Sequence, residues 1–217
     1  MSKTPARAAK TPRKSLTKLE QREVSLEKIC NAALKVFVSK GYRATTVDDI
    51  AEASSMTKGA IYFYFPTKAA VLLTLFDQIE KVLVEDMLQR VASAGPGHVD
   101  QLVAFLHSGA GTGDTKPELV LLYILMLLEF NGVGDEIEVR VKAIYTKIHE
   151  TIGRMVAEGQ VSGAFRRDLE ARETASIMMA LYHGTFMEWY CRSQELRGRE
   201  LVKAARSIAT IGVVAAP

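Results

Sequence analysis

Residues 41–68, GYRATTVDDIAEASSMTKGAIYFYFPTK, form the stretch that decides the fold. Thr46 precedes two carboxylates and an apolar pair, which predicts that its hydroxyl caps a helix of residues 47–53. A short polar turn follows, and Thr57 is placed to cap a compact third helix, Lys58 to Tyr64, which the proline two residues later stops. The stretch therefore predicts two short helices joined by a tight turn.

The regions on either side are also predicted to be helical. Apolar residues recur every three or four positions almost throughout, and no sustained alternation predicts a strand. A first helix is expected over 25–40, where Gly41 stops it, and a long fourth helix over 68–90. Further helices are expected at about 98–108, 116–130, 135–158, 168–193 and 198–213, with the glycine-rich residues 109–114 separating two of them. These patterns predict an all-α fold.

The third helix has small and basic residues on its open side. At about 100° per residue, Ile61 and Phe65 pair on a stripe that can face the first helix, and Lys58 lies on another. Gly59 and Ala60 have little or no side chain, so the backbone can approach the groove of a duplex closely. Two helices joined in this way outline a helix-turn-helix, whose second helix enters the major groove.

Candidate phosphate contacts lie in the same stretch. The hydroxyls of Tyr62 and Tyr64 suit phosphate oxygens, while Thr46, and Thr67 with Lys68, stand at helix starts where free N–H groups favour an anion. A single tyrosine in a short helix is more often a packing residue than a DNA contact. The combination of these residues favours DNA contact.

The stretch resembles the DNA-binding domain of the tetracycline-repressor (TetR) family of transcriptional regulators. The resemblance covers about residues 25–70 and rests on the Gly-aromatic pair, Thr-Thr, Ile-Ala-Glu-Ala, Lys-Gly-x-x-Tyr-x-Tyr-Phe and a lysine that opens the fourth helix. It implies an N-terminal helix-turn-helix domain joined by a long helix to a C-terminal ligand-binding and dimerisation domain, residues 71–217. One departure is Tyr64, where many members have histidine, which keeps a hydrogen-bond donor but removes a possible positive charge.

The resemblance also implies roles for individual residues and partners. It assigns Thr46 to the DNA backbone, Lys58, Gly59 and Ala60 to the groove, and Tyr62, Tyr64 and Lys68 to phosphates. It further implies a homodimer through the last two helices, so that two recognition helices read half-sites of a pseudo-palindromic operator. The candidate DNA-binding set is Thr46, Thr57, Lys58, Gly59, Ala60, Tyr62, Tyr64, Thr67 and Lys68.

The charge distribution supports a polyanionic partner. Residues 1–23 carry a net +5 and residues 24–70 a net +2, so the remaining residues carry −4 of the total of +3. Residues 1–24 are basic, contain two prolines and have few large apolar groups, which predicts a flexible arm. Two interpretations of this arm are open, a solubilising tail and a segment that enters the minor groove.

A small-molecule effector is expected in the C-terminal domain. Apolar, methionine and aromatic side chains there suit an adaptable cavity for a hydrophobic or amphipathic molecule, and ordinary core packing is the alternative for each of them. Glu129 ends an apolar helix, where a carboxylate opposes the helix dipole. Two interpretations of it are open, a contact with a cationic group of a ligand and simple exposure to solvent. The candidate set is Tyr123, Met126, Glu129, Phe130, Tyr145, His149, Met179, Tyr182, His183 and Phe186.

Other function classes fit the sequence poorly. No histidine follows a glutamate by three residues, GxSxG and HExxH are missing, and GAGTGD lacks the Lys-Ser/Thr of a phosphate loop, so no enzyme, metal site or cofactor is expected. An effector-independent architectural DNA-binding protein is the alternative, but it would not need the long apolar C-terminal helices. The longest apolar run, residues 119–128, is shorter than the ~18 residues of a membrane span. No secretory signal is recognisable, and both cysteines have apolar neighbours typical of buried thiols, so a cytoplasmic protein is expected.

Overall fold

The computed structural model describes residues 17–215, and every regular element within that range is helical. The helices are α1 (Lys18–Lys40), α2 (Val47–Ala53), α3 (Lys58–Tyr64), α4 (Lys68–Glu80), α5 (Asp86–Ser93), α6 (His98–Thr115), α7 (Pro117–Glu129), α8 (Glu136–Ser162), α9 (Ala171–Cys191) and α10 (Gly198–Val213). A π-helical turn, Lys81–Glu85, links α4 and α5. The predicted all-α class, with an N-terminal helix-turn-helix followed by a helical C-terminal domain, is confirmed.

The predicted bounds of α2 and α3 are confirmed. Both helices begin where predicted because a threonine side chain caps each of them. The Thr46 hydroxyl accepts a hydrogen bond from the Asp49 N–H at 3.1 Å, and the Asp49 carboxylate accepts one from the Thr46 N–H at 2.8 Å. The Thr57 hydroxyl accepts from the Ala60 N–H at 3.1 Å. These local contacts fix where each helix of the helix-turn-helix starts.

The predicted start of the first helix is wrong, because α1 already begins at Lys18. Thr17 and Glu20 form a capping box, in which each side chain accepts a hydrogen bond from the other residue's N–H. The last residues of the expected arm are therefore helical. Residues 1–16, the remainder of that arm, lie outside the described residues.

The expected break at residues 109–114 is also wrong, because the glycine-rich sequence lies inside α6. Glycine is a poor helix former, but a Cβ added to Gly109 would meet the Tyr182 ring at 2.2 Å, and one added to Gly113 would meet the Phe186 ring at 3.2 Å. The missing side chains thus let rings of α9 pack against the backbone of α6. Tertiary packing here outweighs the low helix propensity.

One apolar core runs through the described residues. α1 packs against α2, α4 and α7, while α8 packs against α4, α7 and α9. Tyr123 and Met126 of α7 are fully buried, as is Phe37 of α1. Cys30 is buried as expected, but Cys191 is exposed at the end of α9, so the expectation of two buried thiols holds only for the first.

A span test of the described residues finds no single helix long and apolar enough to cross a membrane. One bent pair, Lys58–Tyr64 with Lys68–Ser93, meets the criteria of length and composition together, with a bend of 57°. Ile61, Val71 and Leu75 of this pair are at most 1% exposed, which is the burial typical of core helices.

Candidate DNA-binding surface and effector cavity

The face of α3 opposite the core is open. Ile61 and Phe65 are buried, at 1% and 5% exposure, whereas Tyr62 is 47% exposed. A Cβ added to Gly59 would meet no atom within 4 Å, so the backbone there faces free space. The exposed side of α3 therefore combines a bare backbone with a tyrosine hydroxyl, as the sequence analysis expected.

Lys58 stands beside this open backbone in an exposed ion pair. Its Nζ lies 2.8 Å from Asp48 Oδ2 across the turn, and this hydrogen bond raises the pKa of the Lys58 ammonium. Both side chains are more than half exposed. Exposed pairs of this kind contribute only about 0–1 kcal/mol, so the ammonium can exchange Asp48 for another anion at little cost.

The three helix starts that were predicted to bind phosphate differ in which of their polar groups are already hydrogen-bonded. The hydroxyls of Thr57 and Thr67 each accept a hydrogen bond from the N–H three residues on. At Thr46, the Asp49 carboxylate already accepts from the Thr46 N–H and hydroxyl. Lys40, with Thr46, lowers the pKa of Asp49 to about 2, so an anion approaching this helix start meets an ionised carboxylate.

Lys68 occupies a different position from the one expected for a phosphate contact. Its Nζ donates to the carbonyl oxygens of Tyr42 and Thr45 at 2.7 and 2.6 Å, and it lies 4.2 Å from the centroid of the Tyr42 ring. Partial burial lowers the pKa of this ammonium. Two of its three N–H donors thus hold the turn between α1 and α2, and one is left for a phosphate.

Two residues near α3 were missed by the sequence analysis. Phe63 is 74% exposed, and its ring meets that of half-buried Tyr64 edge-on at 5.1 Å. The guanidinium of Arg22, from α1, lies 5.6 Å from the Tyr64 ring centroid. Helical periodicity alone places Phe63 about 200° from the Ile61 stripe and could have identified it as exposed. Arg22 could not be identified, because its segment was interpreted as a flexible arm.

Glu129 and Phe130 lie apart from the aromatic residues of the predicted effector set, at the end of α7 that contacts the α1–α2 turn. Its carboxylate accepts hydrogen bonds from the N–H groups of Tyr42 and Arg43, at 3.2 and 2.9 Å, just after α1. Phe130, also in the predicted effector set, packs edge-on against the Tyr42 ring at 5.3 Å. Both residues therefore join the end of α7 to the α1–α2 turn. The cation beside Glu129 is Arg43, whose Nε lies 3.7 Å from the carboxylate, and a contact of Glu129 with a ligand stays a prediction.

Five of the predicted effector residues form one ring cluster, which joins α7, α8 and α9. Ring centroids lie 5.7 Å apart for Tyr123–His183, 6.4 Å for Tyr145–His183 and 5.3 Å for Tyr182–His183, and His149 stacks on Tyr145 at 6.0 Å. Burial lowers the pKa of His183 to about 4 and raises that of the Tyr123 hydroxyl. Both groups are therefore neutral near pH 7.

Two buried polar atoms in this cluster lack partners. Neither the Tyr123 hydroxyl nor His183 Nε2 has a hydrogen-bond partner in the described part of the chain. Buried polar atoms of proteins are nearly always hydrogen-bonded, so an unpaired one calls for an explanation, such as a water or a ligand. The nearby predicted residues Met126 and Met179 are fully buried core residues.

A cavity of about 550 Å³ opens beside the cluster, between α6, α9 and α10. Tyr182 and Phe186 of the predicted set line it, together with Trp189 and the glycines of α6. Its third wall is α10, whose residues Arg199, Lys203 and Arg206 the sequence analysis missed. A second, more open cleft of about 710 Å³ between α8 and α9 is lined by Tyr145 and His149, whose Nε2 lies 2.9 Å from the Ser176 hydroxyl.

A search of the described residues finds no group of three or more His, Cys, Asp or Glu side chains that could hold a metal ion. The two unpaired cluster atoms are a phenol hydroxyl and the ring nitrogen of a lone histidine. The described residues thus offer a surface with hydroxyl and ammonium donors at α3, and a cavity with aromatic and cationic side chains between α6, α9 and α10.

Comparison with known proteins identifies the family. The sequence profile of bacterial regulatory proteins of the tetR family matches residues 29–75. The crystal structure of the MbdR regulator from Azoarcus sp. CIB is 45% identical, with a TM-score of 0.80 over 88% of this chain and 100% of that one.

Two curated relatives extend the match beyond the helix-turn-helix. The uncharacterised HTH-type transcriptional regulator YhgD of Bacillus subtilis (strain 168) is 39% identical over 165 residues, which are 74% of this chain and 82% of YhgD. The HTH-type transcriptional repressor BepR of Brucella suis biovar 1 (strain 1330) is 27% identical over 80% of this chain and 83% of BepR. These relatives are regulators and not enzymes. The chain belongs to the tetR family of bacterial regulatory proteins and is a transcriptional regulator of that type.

Proposed function

We propose that the protein is a dimeric repressor that binds a palindromic operator and is released when a small molecule binds among its C-terminal helices. The open face of α3 is the observation that carries the proposal. Lys58, Gly59 and Tyr62 present an ammonium, a bare backbone and a hydroxyl on one short, exposed helix. A helix of this kind can lie in the major groove with its backbone close to the bases.

The remaining contacts would set the register of α3 on the duplex. Thr57, Thr67 and Tyr64 surround the helix with hydroxyl groups, and Ala60 adds a second small residue on it. Contacts to phosphates position a protein without reading sequence. Asp48 would be displaced from Lys58 when DNA binds, because a phosphate offers the ammonium a similar charge-assisted hydrogen bond.

Dimerisation is supported by the exposed apolar side chains of α9 and α10. Ile177, Ile208 and Ile211 are 66%, 66% and 77% exposed, and they lie on two helices that pack against each other. Contiguous apolar patches on a protein surface mark interfaces with other proteins or with membranes. A second copy of the chain fits this face, since closed two-fold dimers are the commonest oligomers and an operator palindrome needs two identical readers.

Effector binding is supported by the ring cluster and its unpaired atoms. A polar group of a bound ligand would satisfy the Tyr123 hydroxyl and His183 Nε2, and aromatic side chains would surround that ligand. The connection from α7 to the α1–α2 turn through Glu129 offers a route to the DNA-binding helices. A ligand that displaces α7 would change how firmly this turn is held, and its differential affinity for the two arrangements sets the effect, typically ~1–3 kcal/mol.

Selection of bound fragments from random DNA by the purified protein tests the proposal. We expect a pseudo-palindrome, a one-to-one complex of dimer and duplex by sedimentation, and a Kd that rises steeply with salt. Ile208→Glu with Ile211→Glu should yield monomers that lose operator affinity, whereas Val139→Glu, at an equally exposed aliphatic of α8, should not. Selection of asymmetric or unrelated sequences would contradict the assignment.

A further inference from the structure

The cavity between α6, α9 and α10 has one aromatic wall and one bare wall. Tyr182, Phe186 and Trp189 form the aromatic wall, and the rings of Phe186 and Trp189 lie 6.2 Å apart. Gly111 of α6 also lines the cavity, and a Cβ added to it would meet no atom within 4 Å. A volume of about 550 Å³ between such walls suits the apolar body of a small organic molecule.

The third wall carries unneutralised positive charge. Arg199, Lys203 and Arg206 lie four and three residues apart on one stripe of α10, and all three line the cavity. None of them has a carboxylate partner among the described residues, whereas Arg166 and Arg192 on other surfaces pair with carboxylates at 2.5 and 2.9 Å. Within the described residues, the three cations of this wall therefore form no ion pair.

One of these cations is hydrogen-bonded to a histidine. The Arg206 guanidinium lies 2.8 Å from His107 Nε2, which accepts this hydrogen bond because a guanidinium can only donate. The contact orients Arg206 without neutralising it. Two carboxylates, Asp114 and Glu200, also line the cavity; both are exposed and pair with none of the three cations.

We infer that this cavity binds an amphipathic organic anion, with the acidic group at Lys203 and Arg206 and the apolar body against Phe186 and Trp189. The inference rests on the proposed function, since it names the chemical class of the effector. Carboxylates and phosphates share the chemistry that these donors recognise, because both accept charge-assisted hydrogen bonds from ammonium and guanidinium groups. Tyr182 connects this cavity to the buried ring cluster, because it lines the one and contacts His183 of the other.

The test uses two fluorescent probes with the same ring system. One is 8-anilinonaphthalene-1-sulfonate, which carries an anion, and the other is N-phenyl-1-naphthylamine, which does not. We expect the full-length double variant Lys203→Gln/Arg206→Gln to bind the sulfonate about tenfold more weakly and the neutral amine equally well. The double variant Lys203→Arg/Arg206→Lys keeps both charges and should retain the sulfonate affinity within about threefold.

A matched control removes two exposed charges elsewhere. Lys81 and Arg90 lie on the π-helical turn and α5, away from the cavity lining, and Lys81→Gln/Arg90→Gln should bind both probes as the wild type does. Displacement of the bound sulfonate then identifies the acidic group. Decanoate or decyl phosphate should displace it at concentrations at which decanol does not, and the more effective of the two indicates a carboxylate or a phosphate.

The inference is overturned if the sulfonate binds the Gln/Gln variant as tightly as it binds the wild type. It is equally overturned if decanol competes as well as decanoate, because the cavity then selects only apolar surface. Operator binding by the same ligand-free preparations is measured in parallel. Loss of the anion preference with intact operator binding refutes this inference alone, whereas intact anion binding without any operator binding refutes the proposed function.

Discussion

The first four helices and the later ones begin in different ways. α1, α2, α3 and α4 each start at a threonine whose hydroxyl accepts a hydrogen bond from a backbone N–H, at Thr17, Thr46, Thr57 and Thr67. Of the helices from α5 to α10, only α8 has such a cap, at Asp135. Each cap stabilises its helix by about 1 kcal/mol, so the front helices, α1–α4, are specified locally and the rear helices, α5–α10, depend on packing.

Buried polar atoms show the same contrast. In the described part of the chain, the buried side-chain atoms without a partner are His98 Nδ1, the Tyr123 hydroxyl and His183 Nε2, and all belong to the rear helices. Elements held mainly by packing, with unsatisfied groups inside them, are the ones that open or shift at low free-energy cost. This difference suits a rigid unit that reads DNA attached to a deformable unit that responds to a ligand.

The pH dependence of stability separates the two regions most strongly. His183 has a pKa of about 4 against an ordinary value of 6.5, so the unfolded chain binds the additional proton between these values. Stability is therefore fully present above pH 6.5 and falls as the pH drops towards 4, by on the order of 2–3 kcal/mol. Asp49 of the front helices has a pKa of about 2 against 3.8, so its stabilising contribution is fully present above about pH 4 and is lost only as the pH falls towards 2.

Urea denaturation of the wild type and His183→Gln at pH 7 and pH 4.5 measures this effect. The wild type should lose more free energy of unfolding than the variant between pH 7 and pH 4.5, because the variant has no imidazole to protonate. The difference in free energy of unfolding between the two proteins should therefore shrink or reverse at the lower pH. His107→Gln, which removes an exposed histidine, serves as the control and should follow the wild type. Parallel pH profiles for wild type and His183→Gln would show that His183 is not buried as described.

Two lysines of the front helices should behave differently, although both were interpreted as DNA contacts. Lys68→Gln removes the donor to two carbonyl groups of the α1–α2 turn and should lower the free energy of unfolding by about 2 kcal/mol. Lys58→Gln breaks only an exposed ion pair, so stability should stay close to that of the wild type while DNA affinity drops and the salt slope falls by about one. Chemical denaturation and fluorescence anisotropy on the selected operator distinguish the two effects. Equal losses of stability would contradict the assignment.

The sequence predicted the elements that local contacts specify. The start and end of α3 were recognisable because Thr57 caps it and a proline follows it within two residues. The capping box of Thr17 and Glu20 was equally local, but the basic, proline-containing composition before it led to the interpretation of a flexible arm. The role of Glu129 could not be predicted, since its partners Tyr42 and Arg43 lie more than eighty residues away in sequence.

Substitution of two glycines of α6 compares the effect of side-chain packing with that of helix propensity. A Cβ at Gly109 would meet the Tyr182 ring at 2.2 Å, and this ring is confined between Phe105 and His183. Gly109→Ala should therefore destabilise the protein by about 1–3 kcal/mol, despite the better helix propensity of alanine. Gly111→Ala, in the same helix with free space around it, should stabilise it by about 0.5–1 kcal/mol. Thermal denaturation of both variants measures these changes. If both variants are more stable than the wild type, Gly109 is not needed for the packing of Tyr182.

The contact between front and rear helices should be weakened by Glu129→Gln. The amide NH₂ cannot accept a hydrogen bond, so either the Tyr42 or the Arg43 N–H loses its partner, and stability should fall by about 1–2 kcal/mol. Hydrogen exchange of these two amides should accelerate, whereas the amides of α3 should not change. Glu118→Gln, an exposed position on the same helix, is the control. Unchanged exchange at residues 42 and 43 would show that α7 does not hold the turn.

The smallest changes in stability are expected when one tyrosine hydroxyl is removed from each region. The front substitution should change operator affinity and not stability, and the rear one should change stability and not operator affinity. Tyr62→Phe should leave stability unchanged, because the hydroxyl belongs to a half-exposed ring, and it should weaken operator binding several-fold if that hydroxyl contacts a phosphate. Tyr123→Phe removes a buried hydroxyl that has no partner, so the ligand-free protein should gain up to about 1 kcal/mol in stability with unaltered operator affinity. In the same variant, an effector should release the operator less readily, because the proposed contact between the effector and the Tyr123 hydroxyl is lost. A loss of stability in Tyr123→Phe would mean that the hydroxyl already has a water partner, and the cluster would then be ordinary core.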